Sequence, residues 1–424
     1  MAGILQDSVQ DWANQASQMA EIFSNAYLTI AASASENGQQ GLVSRRRATQ
    51  KLDVVHNRKA FVVYVRHAPE HEFEENGTDL PFMDATQLPL RTRAWCFQEE
   101  LLSTRIIHFT RDESVFVCQE ATTCECDPRW WSRFALPQVV GNDSWDASKI
   151  WENIVEHYSG RQISFCKDRL PALSSLTKSF EEQSGRYHAG LWESHMPGSL
   201  LWWSKCGKRP EQEQNSQSRP PSWSWASIEG MVIFSSVDGY GDNVADVLAV
   251  CTYPSTVDPR GMVSGGHITL QAPLFPLGGT WKKHESPWQK SLEFYNPDMS
   301  FGSCFACGPG WAPARQWLEE DDCYCVLDDP ANPPLLLRSG IIDTPIFLLI
   351  ICTLRDKYWA KDLPHPEGYR FLGLLLQPQG LGQIRPEIES RIPFVRVGFG
   401  GMCFSKEDGE EALNRFKDTV VTIF

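Results

Sequence analysis

From Lys205 to Ser222 the chain carries no large apolar side chain, and the tract ends on Pro220-Pro221 followed by Ser222. A stretch of that composition adds nothing to a core, and paired prolines suit neither a helix interior nor a central strand. It reads as a linker or long loop, and it separates two hydrophobic periods. Before it, Trp12, Ala16, Met19, Ile22, Phe23 and Ala26 fall at helical spacing and predict a helix over about 9–26. Ser8 and Asp11 supply its start signature. Trp145, Ile150, Trp151, Ile154 and Tyr158 predict a helix over 145–158, and a third is expected over 171–184. After the tract the period is two. Ser222–Ser227, Val232–Phe234, His267–Gln271, Cys323–Leu327, Phe347–Leu354, Phe371–Leu376 and Phe394–Val397 read as strands.

The N-terminal part has α/β character. Met1–Leu5 resembles the tail of a buried strand, and Tyr27–Ala32 reads as another after the first helix. Residues 36–50 form a loop, with Arg45-Arg46-Arg47 as solvated charge. Val54-Val55 and Phe61–Val65 are strand-like. His67 and His71 flank Pro69, which opposes the helix they would need to share a metal. Pro89–Leu102 predicts a short helix capped near Thr92. Arg105–Phe109 and Ser114–Cys118, joined by Thr110–Glu113, predict a hairpin. The expected organisation is an incomplete α/β domain over 1–136, a helical connector over 137–204, the polar tract over 205–222 and a β-rich region over 223–424.

Charge and cysteine content narrow the partners. The 424 residues sum to −14, a surface that repels nucleic acid and anionic lipid. The longest apolar run, Pro345–Cys352, is far below the roughly 20 residues that span a bilayer. No signal peptide is visible, so the 13 cysteines read as reduced, mostly buried thiols of a cytosolic or nuclear protein, with a cytoplasmic location expected. Cys304 and Cys307 have zinc-knuckle spacing. Cys323 and Cys325, one residue apart on a strand, point to opposite faces and cannot close the same site. The Cys118, Cys124 and Cys126 group has the same weakness, and no metal site is expected. Sixteen tryptophans imply aromatic packing surfaces, with Trp223 and Trp225 on one strand face as a core stripe.

Several separated segments resemble the fungal heterokaryon-incompatibility (HET) domain family. Gln6-Asp7-Ser8, Asp11-Trp12, Met19 and Ile22–Ala32 look like one block of the family, followed by Gly41-Leu42 and Arg47. Arg93–Glu99 with Leu102-Ser103, Arg105 and His108-Phe109 looks like the next. Tyr158-Ser159, Arg161, Asp168-Arg169-Leu170, Gly190-Leu191-Trp192 and Pro221–Ser227 resemble the region that commonly follows the domain. The family's first block, with its Ser-Tyr-x-Trp-Gly-like signature, has no counterpart here. The resemblance implies a TIR-like fold and a role in non-self recognition and programmed cell death. The protein partners it implies are further copies or other incompatibility proteins. An inactive paralogue acting only as an interaction module is an alternative.

Trp95-Cys96-x-x-Glu99 also resembles the Trp-Cys-x-x-Glu helix of TIR domains. That resemblance implies NAD as a substrate, with Glu99 as the catalytic carboxylate of a glycohydrolase and Trp95 as its support. Positions 95, 99 and 102 share a helix face, so Trp95 would partly desolvate Glu99. Glu100 lies about 100° around the helix and is expected to face solvent. The competing reading is packing, with Glu99 paired to Arg91, Arg93 or Arg105. A Cys96–His108 nucleophile pair is disfavoured, because the two residues sit on different elements.

Overall fold

The computed structural model describes residues 18–42, 50–65, 88–111, 113–118, 121–125, 131–132, 146–204, 207–210, 219–235, 241–256, 258–283, 290–295, 305–306, 323–328, 346–355, 369–379, 393–404, 406–415 and 419–424. Two units divide the chain: 1–146 with 161–164, and 147–160 with 165–424.

In the first unit, residues 18–24 form helix α1; the expected 9–26 helix ends two residues early, and 9–17 lie outside the described residues. Strand β1 (Thr29–Ala31) follows. Next come hairpin β2 (Gln50–His56) and β3 (Lys59–Val65), helix α2 (Ala94–Leu102), and strands β4 (Arg105–Phe109), β5 (Ser114–Cys118), β6 (Ala121–Cys124) and β7 (Trp131–Ser132). The sheet order is β1-β4-β5-β6-β7. β1 and β4 run parallel across α2, whereas β4 to β7 form an antiparallel meander; the first strand of the α/β unit expected over Met1–Ala32 lies outside the described residues. Ala31, Ile106, Val115, Val117 and Cys124 make the core, with Leu90 packed against it.

The second unit begins with helix α3 (Ala147–Ser159). The helix expected over 171–184 is instead three separate turns: α4 (Pro171–Ser174), a 3-10 turn (Thr177–Ser179) and α5 (Glu181–Ser184). Ser174 Oγ donates to Pro171 O and Thr177 Oγ1 to Ser174 O, and such local bonds compete with a continuous helix. Short strands β8 (Tyr187–His188), β9 (Leu191–Trp192), β10 (Trp202–Ser204) and β11 (Val232–Phe234) follow.

The rest is mainly strand: β12 (Gly241–Asn243), β13 (Asp246–Pro254), β14 (Val263–Ala272), β15 (Leu274–Lys283), β16 (Lys290–Tyr295), β17 (Phe305–Ala306) and β18 (Cys323–Leu327). Strands β19 (Ile346–Arg355), β20 (Tyr369–Pro378) and β21 (Pro393–Phe404), helix α6 (Lys406–Arg415) and strand β22 (Thr419–Ile423) complete it. Among the described residues one sheet has the order β13-β14-β22-β21-β20-β19-β15-β16, with β12 on β19, β18 on β21 and β17 on β18. The apolar run of the sequence is the central strand β19. Ile346 to Cys352 are all buried, so both faces are covered and no alternation is needed.

Tryptophan fills the core of this unit. Trp151, Trp192, Trp202, Trp223 and Trp225 are all fully buried. Trp223 and Trp225 are core, as expected, but not as a strand stripe. Trp225–Ser227 is a 3-10 turn capped by Ser224, whose Oγ accepts from Ala226 N at 3.0 Å and donates to Ala189 O at 2.5 Å. The Gly190 carbonyl accepts from both Trp151 Nε1 and Trp225 Nε1, each at 2.9 Å. Trp202 Nε1 donates to Trp223 O, and Tyr158 Oη to Arg169 O at 2.6 Å. Segments spread over seventy residues thus meet in one hydrogen-bonded aromatic cluster. Cys304, Cys307, Cys126, His67 and His71 lie outside the described residues, and among those described no group of His, Cys, Asp or Glu could hold a metal ion.

Candidate functional site

The approach to α2 sets the site. Pro89 opens a 3-10 turn, Pro89–Thr92, and Arg93 is extended before the helix starts at Ala94. Thr92 is not the cap. Its hydroxyl donates to Pro89 O at 2.7 Å. The helix end is satisfied instead from residues 161–164, because Ala94 N donates to Gln162 O at 2.9 Å and Gln162 N to Thr92 O at 2.7 Å. At the other end Ser103 N and Oγ both donate to the Glu99 carbonyl, and Ser103 Oγ meets Thr29 Oγ1 at 2.7 Å.

The two glutamates of α2 have different surroundings, and Glu100 overturns its expectation. It is 7% exposed and not solvent-facing. Arg91 Nη2 and Nε donate to its two oxygens at 2.6 and 3.2 Å, a bidentate pair. Arg161 Nη2 lies 3.8 Å from Glu100 Oε2, and the guanidinium covers the Phe97 ring at 4.4 Å. Burial pushes the Arg161 guanidinium down to about 10. The backbone bridge that completes the helix start therefore also delivers a cation to Glu100. Phe97 and Gln98 are buried beside it, and neither Oε1 nor Nε2 of Gln98 has a hydrogen-bond partner.

Glu99 is half-buried on the face that also carries Trp95, four residues earlier and likewise half-buried. Burial raises its carboxyl to about 7, against the opposing pull of Arg93 and of a hydrogen bond from the Cys96 thiol. Arg91 belongs to Glu100, and Arg105 stacks over Tyr27 at 5.4 Å, so Arg93 alone of the three expected arginines acts on Glu99. Cys96 is half-buried. Burial first, and the Glu99 charge second, push its thiol up to about 12. His108 is buried in β4, with Nδ1 2.8 Å from Ser33 Oγ. The arrangement offers a proton-exchanging carboxylate at neutral pH beside an indole and a guanidinium.

Residues 2–99 match the family model described as Heterokaryon incompatibility protein (HET). Residues 2–99 thus carry a HET domain. The match covers β1, the β2–β3 hairpin and α2 as far as Glu99. Searches of curated proteins and of solved structures return no match. Of the residues that build the site on α2, Arg161 and Gln98 were not assigned roles by sequence reasoning. Arg161 lies sixty-one residues beyond Glu100, so no helical spacing links them. No helix among the described residues is long and apolar enough to cross a membrane.

Proposed function

We propose that this chain acts as a signalling protein of fungal non-self recognition, working through protein partners to trigger programmed cell death. The observation that carries this reading is the HET match over 2–99. The test is inducible expression in a fungal host. Growth arrest is expected. Normal growth with folded protein accumulating counts against the reading.

A second reading is favoured by the carboxyl of Glu99, raised to about 7 by burial. It is cleavage of the bond between nicotinamide and ribose in NAD. Nicotinamide leaves with the bonding pair, and the ribose carbon becomes oxocarbenium-like. An ionised Glu99 stabilises that cation until water adds and gives up its proton. Trp95 on the same face limits solvent around the carboxylate, and Arg93 offers a contact for phosphate. NAD content is measured in cells expressing the chain and its Glu99→Ala variant. NAD loss is expected only with Glu99 present. Loss that survives the substitution removes Glu99 from the reaction. Growth arrest without NAD loss leaves signalling by contact alone.

A further inference from the structure

Among the described residues, nothing covers either face of the β2–β3 hairpin. Every residue of both strands is exposed, including Phe61 at 48%, Val62 at 52%, Tyr64 at 65% and Val55 at 72%. It forms a two-stranded sheet of its own, with no further strand paired to it among the described residues. Two strands alone are marginal in water, so such a hairpin gains from a third.

The two edges differ. β2 carries Lys51 and Asp53, ion-paired at 3.5 Å, and charge of this kind guards an edge. β3 reads Lys-Ala-Phe-Val-Val-Tyr-Val and is uncharged after Lys59. Asn57 and Arg58, both at positive φ, make a two-residue turn, and His56 pairs with Lys59. Alternation from that pair leaves the N–H and C=O groups of Ala60, Val62 and Tyr64 pointing away from β2.

We propose that β3 pairs antiparallel with β3 of a second copy, about a two-fold axis at Val62. In that register Val62 faces Val62, Ala60 faces Tyr64, Phe61 faces Val63 and Lys59 faces Val65. The open main-chain groups of Ala60, Val62 and Tyr64 become partners, aromatic side chains meet small or β-branched ones, and within Lys59–Val65 no like charges face each other. The same operation on β2, centred on Asp53, would set Asp53 against Asp53. A β2–β3 contact between copies would leave an open edge at each end and would not close. The edge chemistry therefore selects a second copy, joined through β3. This inference does not depend on NAD cleavage.

The test is the mass of the full chain in solution, by light scattering or sedimentation, at several concentrations and salt levels. A dimer is expected. Because each copy carries −14, added salt strengthens it, whereas a contact between opposite charges would weaken. Val62→Lys should abolish the dimer, since it sets like charges on the axis while leaving the β2-facing bonds intact. Val62→Asp should do the same alone, and mixing the two variants should restore association. Asp53→Lys, on the other edge, should leave the dimer unchanged. Circular dichroism checks that each variant is folded. A monomeric wild type, a dimeric Val62→Lys, or a mixture that stays monomeric overturns the proposal.

Discussion

Glu99 and Glu100 are adjacent on one helix, yet they meet opposite physics. Glu100 is buried with two arginines against it. Glu99 is desolvated more than it is compensated, so the native state holds its proton more tightly than the unfolded chain does. The sign follows from that order. The folded pKa, about 7, lies above the ordinary 4.5, so the stability linked to this proton is fully present below pH 4.5 and lost as pH rises through about 7. Glu99→Gln should therefore match wild type in urea unfolding near pH 4, and exceed it above pH 7. Equal stability at both pH values would show that Glu99 does not titrate as the surrounding burial requires. Helix geometry made the shared face of Trp95 and Glu99 legible in sequence. It could not reveal the burial of Glu100, because the covering Arg161 arrives from a segment after the second unit has begun.

At the level of elements, the turn at Ala189-Gly190 ties the aromatic cluster together. Gly190 sits at φ +100°, and its single carbonyl serves two indoles. A Cβ there would run into the Trp225 indole. Gly190→Ala should cost about 2–4 kcal/mol through positive-φ strain and overpacking together, read as a lower urea midpoint. An unchanged midpoint would mean that the turn relaxes without disturbing Trp225. The sequence showed which residues are core here but not how they meet. Alternation in Ser222–Ser227 resembles a strand, but Ser224 spends its hydroxyl on a cap and on Ala189, which bends the segment into a turn. The long strands β19 and β20 were legible because an apolar run buried on both faces has few other solutions.

At the scale of the whole molecule, the second unit closes on a buried ion pair that joins distant parts of the chain. Arg396 is fully buried, and its Nε and Nη2 each reach Asp328 at 3.2 Å. Nη1 donates to Leu200 O at 2.6 Å and Nη2 to Trp202 O, while the guanidinium covers the Trp202 ring. Arg209 approaches the same carboxylate at 3.6 Å. Asp328→Ala would leave Arg396 buried without its counter-charge, at a cost of about 3–5 kcal/mol in denaturant unfolding. Restoring neutrality with Asp328→Leu and Arg396→Met together should recover most of that loss. No recovery would mean that the carbonyl contacts of Arg396 matter more than its charge. Neither partner could be picked from sequence, since Asp328 and Arg396 lie on segments brought together only by the pairing of β18 with β21.

The indoles that fill this unit also give it an optical signature. Trp151, Trp192, Trp202, Trp223 and Trp225 are sealed from water, whereas Trp95 in the first unit is only partly so. Ultraviolet emission from the sealed five falls at short wavelength and moves to longer wavelength when solvent reaches them. The short-wavelength part of the emission then follows the opening of these five sites, with no label attached.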